Sequence, residues 1–146
     1  GVTKAYMFIG YMSENEALYE YMHELGFLVV LKPTVDITPH DAKPEAGKPK
    51  VDDKDKERPQ VKGNIDADLV LYAMKELPNY DQALIVSGDG DFFALVEYLE
   101  EQGKLAQILT PNWQYSSLLK PFENKIVRLD NLRKQLAYHD RKKKGK

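Results

Sequence analysis

Apolar residues in this chain follow two patterns. One is typical of buried strands and the other of amphipathic helices. Short continuous apolar runs are typical of strands that are covered on both faces of a parallel sheet. Such runs occur at AYMFIG (5–10), FLVVLK (27–32), QALIVS (82–87), LAQILT (105–110) and KIVRL (125–129). The pattern predicts five strands, of which those at 27–32 and 82–87 are expected to be buried, with little hairpin signal outside segment 33–62.

Between these runs, apolar residues recur every three or four positions, which is the period of an amphipathic helix. Helices are predicted at 13–26, 65–77, 91–103, 115–122 and 130–139. Ser13 is expected to cap the first helix and Gly26 to end it, and Asp130 is expected to cap the last. The second helix is expected to be well buried, because apolar residues surround much of its circumference. The predicted apolar stripes are Leu18, Tyr21, Met22 and Leu25 in the first helix and Phe92, Leu95, Val96 and Leu99 in the third, which Gly103 ends.

Strands that alternate with helices favour an α/β fold with a parallel sheet wrapped on both faces. Segment 33–62 interrupts this order, since it holds five of the eight prolines and almost no apolar residues. It is predicted to be a charged flexible excursion whose ends, TVDIT (34–38) and RPQVKG (58–63), pair as a hairpin. We therefore predict a single domain over residues 1–138, followed by a basic tail at 139–146.

Composition narrows the class of protein. No apolar run approaches the length needed to span a bilayer, so no membrane partner is expected. The chain has no cysteine, which excludes disulfides, thiol nucleophiles and Cys-ligated zinc and favours a cytoplasmic location. The net charge of −2 is uneven, because residues 130–146 alone carry seven basic and two acidic side chains. This basic end is either a solvated tail or a contact for phosphates.

The stretch LIVSGDGDF (84–92) ends a predicted strand with two carboxylates, Asp89 and Asp91. In parallel α/β folds, ligands bind at the carboxyl ends of the strands. Two carboxylates at such an end repel each other unless a cation lies between them. Because only oxygen ligands are offered, Mg²⁺ or Mn²⁺ is the expected occupant. Gly88 and Gly90 are expected to let the backbone turn sharply and approach a ligand.

Structural roles compete with this interpretation. Asp91 has the position of an N-cap for a helix that begins at Phe92, whereas Asp89 neither caps nor pairs within the local sequence. A second acidic pair, Asp66 and Asp68, stands at the start of the second helix, about 200° apart around its axis. Only one of the two can face a metal, and periodicity does not choose between them.

Two stretches carry a family resemblance, KGNIDADLVLYAM (62–74) and YDQALIVSGDGDFFALVEYLEEQGK (80–104). They resemble the LabA-like group of NYN domains, which are relatives of PIN-domain nucleases. Segments near both ends of the chain are similar to that group as well, so the resemblance covers nearly the whole chain. It implies a PIN-like three-layer α/β/α sandwich with a mainly parallel central sheet. It also implies metal-dependent hydrolysis of RNA that leaves 5′-phosphate and 3′-hydroxyl ends.

The resemblance also implies roles for individual residues. Asp66, rather than Asp68, joins Asp89 and Asp91 as catalytic metal ligands for Mg²⁺ or Mn²⁺, and Ser87 and Asn64 support them. Independently of the resemblance, basic and aromatic side chains predict that RNA, expected to be single-stranded, contacts Lys62, Trp113, Lys142 and Lys143. Trp113 has two interpretations, since it would either stack on an unpaired base or pack as a lid over the core. A homodimer is a further expectation.

One departure from the family weakens the enzyme interpretation. The family normally begins with a strand that ends in Asp, followed by Asn, in a segment of the type F-I-D-G-x-N. The first Asp here is Asp36, so the given sequence starts where the family's second strand would. Either the fragment is truncated or another polypeptide carries that strand. If neither holds, the expected function is a catalytically degenerate RNA-binding or protein-interaction module.

Overall fold

The computed structural model describes residues 1–33, 35–36, 61–62 and 65–137. These residues belong to two compact units, Gly1–Leu71 and Tyr72–Lys146. Most of the predicted excursion and the basic tail lie outside the described residues. The predictions for Asn64, Lys142 and Lys143 therefore have no structural counterpart, and only the backbone of Lys62 is described.

The first unit is built on two parallel strands. Strand β1 (Ala5–Gly10) pairs with β2 (Phe27–Lys32) from one end to the other. Helix α1 (Glu16–Glu24) connects them and follows a 3-10 turn at Ser13–Asn15. These strand bounds confirm the sequence prediction, because continuous apolar runs of six residues suit a strand and are too short for a helix.

The two ends of the predicted excursion pair with each other. Strand β3 (Val35–Asp36) lies antiparallel to β4 (Val61–Lys62), with Val35 opposite Lys62. The hairpin predicted for these ends is confirmed for the four residues that are described. Helix α2 (Asp66–Lys75) follows directly.

The second unit holds a three-stranded parallel sheet in the order β5-β6-β7. Short 3-10 turns precede β5, α3 and α4, and two 3-10 stretches joined by a kink at Phe122 lie between β6 and β7. The element bounds are β5 (Ala83–Val86), α3 (Phe93–Glu101), β6 (Leu105–Thr110), β7 (Ile126–Arg128) and α4 (Arg133–Leu136).

The core of the second unit forms around α3 and β6. The predicted α3 stripe is confirmed, since all four of its members are buried and Gly103 ends the helix region with a positive φ of 66°. It packs with Leu105 and Ile108 of β6 and with Leu119, none of which is more than 2% exposed. Lys125 links β6 and α3 at the edge of this core. Its ammonium group donates a hydrogen bond to the Leu105 carbonyl at 2.7 Å and pairs with Glu100.

Helix α1 differs from its prediction in both its cap and its apolar face. Gly26 does end the helix region, with a φ of 93°, but the Ser13 side chain caps nothing. Three of the four residues of the predicted stripe, Leu18, Tyr21 and Leu25, are about half exposed. Tyr19 is buried instead, and its hydroxyl accepts a hydrogen bond from the Met12 amide at 3.0 Å. The unit therefore packs α1 through the neighbouring face.

Burial was also predicted for strands β2 and β5 and for helix α2, and this prediction is wrong for all three. Leu28 and Leu31 of β2 are 40% exposed, and Val86 of β5 is 61% exposed. No residue of α2 is buried. Among the described residues, β2 pairs only with β1 and β5 only with β6, so each strand has one unpaired edge. An apolar run predicts a strand, but it does not fix how many neighbours cover it.

Parallel strands that alternate with helices confirm the predicted α/β class, consistent with a PIN-like fold. Within the described ranges, no helix is both long and apolar enough to cross a membrane.

Candidate functional site

Asp89 and Asp91 lie in a tight turn just beyond the carboxyl end of β5. The turn begins after Ser87, whose hydroxyl accepts a hydrogen bond from the Asp89 amide at 3.1 Å. The Asp89 carboxylate accepts in turn from the Asp91 amide at 3.0 Å. Both aspartates are exposed, and a carboxylate oxygen of one lies within 4.8 Å of a carboxylate oxygen of the other. The structure therefore holds a cluster of acidic side chains where the strand ends.

The capping roles within this turn are the reverse of those expected from the sequence. Asp89 caps the 3-10 turn Gly90–Phe92, although the sequence showed no local partner for it. Asp91 lies inside that turn, and α3 starts at Phe93 without a side-chain cap. The extra 3-10 turn begins at Gly90, two residues before the predicted helix start at Phe92, and this moves the cap from Asp91 to Asp89. In the described part of the chain, the Asp91 carboxylate has no hydrogen-bond or ion-pair partner that would explain its position.

Gly88 and Gly90 serve close packing rather than an unusual backbone conformation. Neither has a positive φ, so the tight turn does not depend on the left-handed conformation that glycine favours. A Cβ on Gly90 would lie 2.3 Å from the Ser116 hydroxyl oxygen, and one on Gly88 would lie 3.2 Å from the Tyr115 Cβ. The glycines thus let the segment around 115–118 pack directly on the acidic turn.

The loop after β6, residues 111–116, is anchored to other elements at both of its ends. The Ser116 amide donates to the Gly88 carbonyl at 2.9 Å, and the Asp130 amide donates to the Pro111 carbonyl at 3.1 Å. Between these anchors, the Asn112 side chain accepts from the Gln114 amide at 2.7 Å. Trp113 lies inside this last turn and is 65% exposed. The interpretation of Trp113 as a lid over the core is therefore wrong.

Two further polar features lie at strand ends of the same sheet. Thr110 ends β6 and is fully buried, and its hydroxyl has no hydrogen-bond partner among the described residues. Arg128 ends β7 and donates two hydrogen bonds to Asp130, from Nε at 3.0 Å and from Nη2 at 2.6 Å. These bonds hold the pKa of the Asp130 carboxyl below its ordinary value. The expectation that Asp130 caps the last helix is wrong, because its carboxylate accepts hydrogen bonds from Arg128 and from the Asn131 amide.

The other acidic pair belongs to the first unit. Asp66 and Asp68 both stand in the first turn of α2, and both are half-buried. Asp68 pairs with Lys32, which ends β2, at an Nζ–Oδ2 distance of 3.2 Å. The pair gives Asp68 a structural partner, in line with the structural role expected of it. The role of Asp66 as a ligand stays a prediction.

The donor set of the acidic turn suits a hard divalent cation. Its side-chain donors are carboxylate oxygens, and the chain has no cysteine to offer a softer ligand. Mg²⁺ and Mn²⁺ prefer such oxygen ligands, and Mg²⁺ is commonly held by one or two carboxylates with water completing its shell. The residues present therefore fit a divalent ion of this type.

A parallel α/β fold with carboxylates clustered after a strand is compatible with a nuclease-like domain. Comparison with known families agrees, since the model of the NYN domain matches residues 2–130. The chain belongs to the NYN domain family, within this nuclease-like superfamily.

A solved structure supports the fold. The chain is similar to a protein of unknown function from Vibrio parahaemolyticus RIMD 2210633, with 25% sequence identity and a TM-score of 0.56. The similarity covers 88% of this chain and 68% of the other. Among proteins with curated descriptions, none matches significantly.

Sequence analysis missed the residues that position the acidic turn from outside it. Ser116 is the main example, since it holds the Gly88 carbonyl and also accepts from the Leu118 amide at 3.3 Å as a cap. The sequence signal for the cap was present in YSSLL, where a serine precedes a helical stretch. The contact with Gly88 has no local signal, because it joins residues 28 positions apart.

Proposed function

We propose that this protein is a metal-dependent ribonuclease, which hydrolyses RNA phosphodiester bonds at an acidic Mg²⁺ or Mn²⁺ site. The observation that carries the proposal is the carboxylate pair of Asp89 and Asp91 after β5 in an NYN domain. Asp66 is the third proposed ligand, on the strength of the KGNID resemblance and its place in the first turn of α2. Similarity to the LabA-like group within the family is part of this proposal.

A bound divalent ion would supply charge neutralisation at the phosphate and a more acidic water. The chain's own contribution is preorganisation. The Asp89 carboxylate accepts a hydrogen bond from the Asp91 amide, and the Asp89 amide donates one to the Ser87 hydroxyl. These bonds position the acidic turn before any substrate binds. Preorganised charges lose little free energy to rearrangement during the reaction, which is the main source of their catalytic effect.

Substrate binding completes the proposal. The proposed contacts beyond the acidic residues are Lys62, Trp113, Lys142 and Lys143, which would meet the phosphates and bases of RNA. Asn64 is proposed to support Asp66, as the resemblance implies. Of these residues, the side chain of Trp113 is the one whose exposure the structure describes, and it faces solvent.

The test is cleavage of end-labelled single-stranded RNA by the natural polypeptide that contains these residues, with Mg²⁺, Mn²⁺ or EDTA. Asp89→Asn keeps a side-chain oxygen for the Asp91 amide but removes the charge, so its fold should persist. We expect Asp66→Asn, Asp89→Asn and Asp91→Asn each to lower the rate about 100-fold or more.

Asp68→Asn is the matched control, because Asp68 stands two residues from Asp66 and is paired with Lys32. It should leave the rate within a few-fold of the wild type. RNA binding without metal-dependent hydrolysis by any of these proteins would contradict the enzyme proposal. That result would support the alternative, a catalytically degenerate RNA-binding module.

A further inference from the structure

The chain's single tryptophan is displayed on an ordered loop beside the acidic turn. Trp113 is 65% exposed, whereas a large aromatic side chain ordinarily gains free energy by burial. One exposed apolar residue is common on protein surfaces and by itself indicates nothing. Its setting distinguishes Trp113 from the other exposed apolar residues.

The backbone that carries Trp113 is fixed before any ligand binds. The Asn112 side chain closes a turn over it by accepting from the Gln114 amide. The two ends of the loop are tied to other elements, at Pro111 by the Asp130 amide and at Ser116 by the Gly88 carbonyl. A ligand that stacks on a preordered aromatic ring loses less conformational entropy on binding than one that must order a loop.

The same loop is in contact with the proposed metal-binding turn. Ser116 packs so closely on Gly90 that a Cβ there would lie 2.3 Å from its hydroxyl, and Tyr115 packs on Gly88. Trp113 is three residues before Ser116, so its Cα is at most about 11 Å from the Cα of a residue that touches the turn. That distance is within reach of a base whose strand passes through the acidic turn.

We propose that Trp113 is a stacking platform for one unpaired base of the strand bound at Asp89 and Asp91, and that it selects single-stranded over duplex nucleic acid. The inference deepens the proposed function and rests on it. An indole ring stacks on the face of any base, so the platform is tolerant of sequence. In a duplex, both faces of an internal base are covered by its neighbours, so Trp113 can stack only where a strand is unpaired.

The fluorescence of the single tryptophan gives a direct readout. The natural polypeptide is titrated in Mg²⁺ with a 12-nucleotide oligouridine whose phosphorothioate linkages resist hydrolysis, and separately with a blunt RNA duplex of the same length and linkage. We expect saturable quenching by the single strand and little quenching by the duplex. Quenching by both to the same extent, or by neither, would overturn the proposal.

Variants separate stacking from general binding, with affinity for labelled oligouridine measured by anisotropy. Trp113→Ala should weaken binding roughly 5- to 100-fold, whereas Trp113→Phe should retain most of it. The controls are Gln114→Ala, in the same loop, and Tyr21→Ala, a half-exposed aromatic residue on α1. Neither should change the affinity more than about two-fold. An unchanged affinity in Trp113→Ala would contradict the platform.

The two proposals fail in different ways. Hydrolysis that depends on metal and on Asp89, but not on Trp113, would leave the ribonuclease standing and remove the platform. Quenching and a Trp113→Ala effect without any hydrolysis would do the reverse, and would leave a single-strand-binding module.

Discussion

At the scale of single residues, hydrogen bonds and ion pairs show which acidic side chains have a structural role. Asp89 caps a turn, Asp68 pairs with Lys32 and Asp130 pairs with Arg128. Asp91 has no such partner among the described residues. A carboxylate kept beside another without a compensating cation is electrostatically unfavourable. Asp91 is therefore available to the cation proposed above.

The pairing of Asp130 with Arg128 predicts a pH dependence of stability. The pKa of Asp130 is lowered from 3.8, chiefly by the hydrogen bond from Arg128, so the folded chain holds this carboxyl ionised more readily than the unfolded chain does. Its contribution to the free energy of unfolding is present above pH 3.8 and is lost as the pH falls through the lowered pKa of the folded state.

Urea denaturation of the wild type and Asp130→Asn at several pH values checks this. The difference in stability between them should be largest near neutral pH and should shrink below pH 3.8. A difference that grows on acidification would contradict the assignment.

At the scale of elements, the two long helices with an apolar stripe behave differently. Helix α3 buries its stripe, with Val96 and Leu99 at 0% exposure, whereas α1 exposes Leu18 and Leu25. The sequence predicts a stripe equally well in both. Leu99→Ala is expected to lower the free energy of unfolding by about 2–5 kcal/mol, because it opens a cavity in a packed core.

Leu18→Ala is the matched substitution on α1, and it should change the stability by less than about 0.5 kcal/mol. Chemical denaturation measures both. Comparable losses in the two variants would mean that the α1 stripe is covered in solution, for which the expected homodimer would be the first explanation to test by sedimentation.

The contact between the acidic turn and the loop at 111–116 yields a second prediction at this scale. Gly90→Ala places a methyl group against Ser116 and Leu118, so one segment must shift. We expect a loss of about 1–3 kcal/mol in stability and a change in the Trp113 emission spectrum. Gly88→Ala meets Tyr115 at 3.2 Å and should show a smaller effect of the same kind. Wild-type stability in Gly90→Ala would show that the two segments are not packed together.

These elements also show how far the sequence carries a prediction. The bounds of β1, β2 and β6 follow from their apolar runs, and Gly26 and Gly103 end helices because they adopt positive φ. The close packing at Gly88 and Gly90 could not be predicted, because it depends on a segment about 28 residues away that the local pattern does not specify. The same holds for burial, which depends on the number of neighbours that a strand or helix acquires in the fold. The acidic turn was found because two carboxylates directly follow an apolar run that predicts a strand.

At the scale of the whole molecule, membership of the NYN family and the acidic cluster support one chemistry, the binding of a divalent cation at the end of β5. Hydrolysis of RNA and stacking on Trp113 both presuppose it. The structural similarity to the Vibrio parahaemolyticus protein supports the fold of this chain.

The most direct test is to locate a bound cation by NMR, with Mn²⁺ as a paramagnetic probe. Amide signals of ¹⁵N-labelled protein are followed as substoichiometric Mn²⁺ is added. The account predicts that signals from Ser87 to Asp91 and from Asp66 broaden first, and that excess Mg²⁺ restores them. In Asp89→Asn this broadening should require much more Mn²⁺. Broadening that begins at other acidic residues, or that is the same in Asp89→Asn, would contradict the central claim.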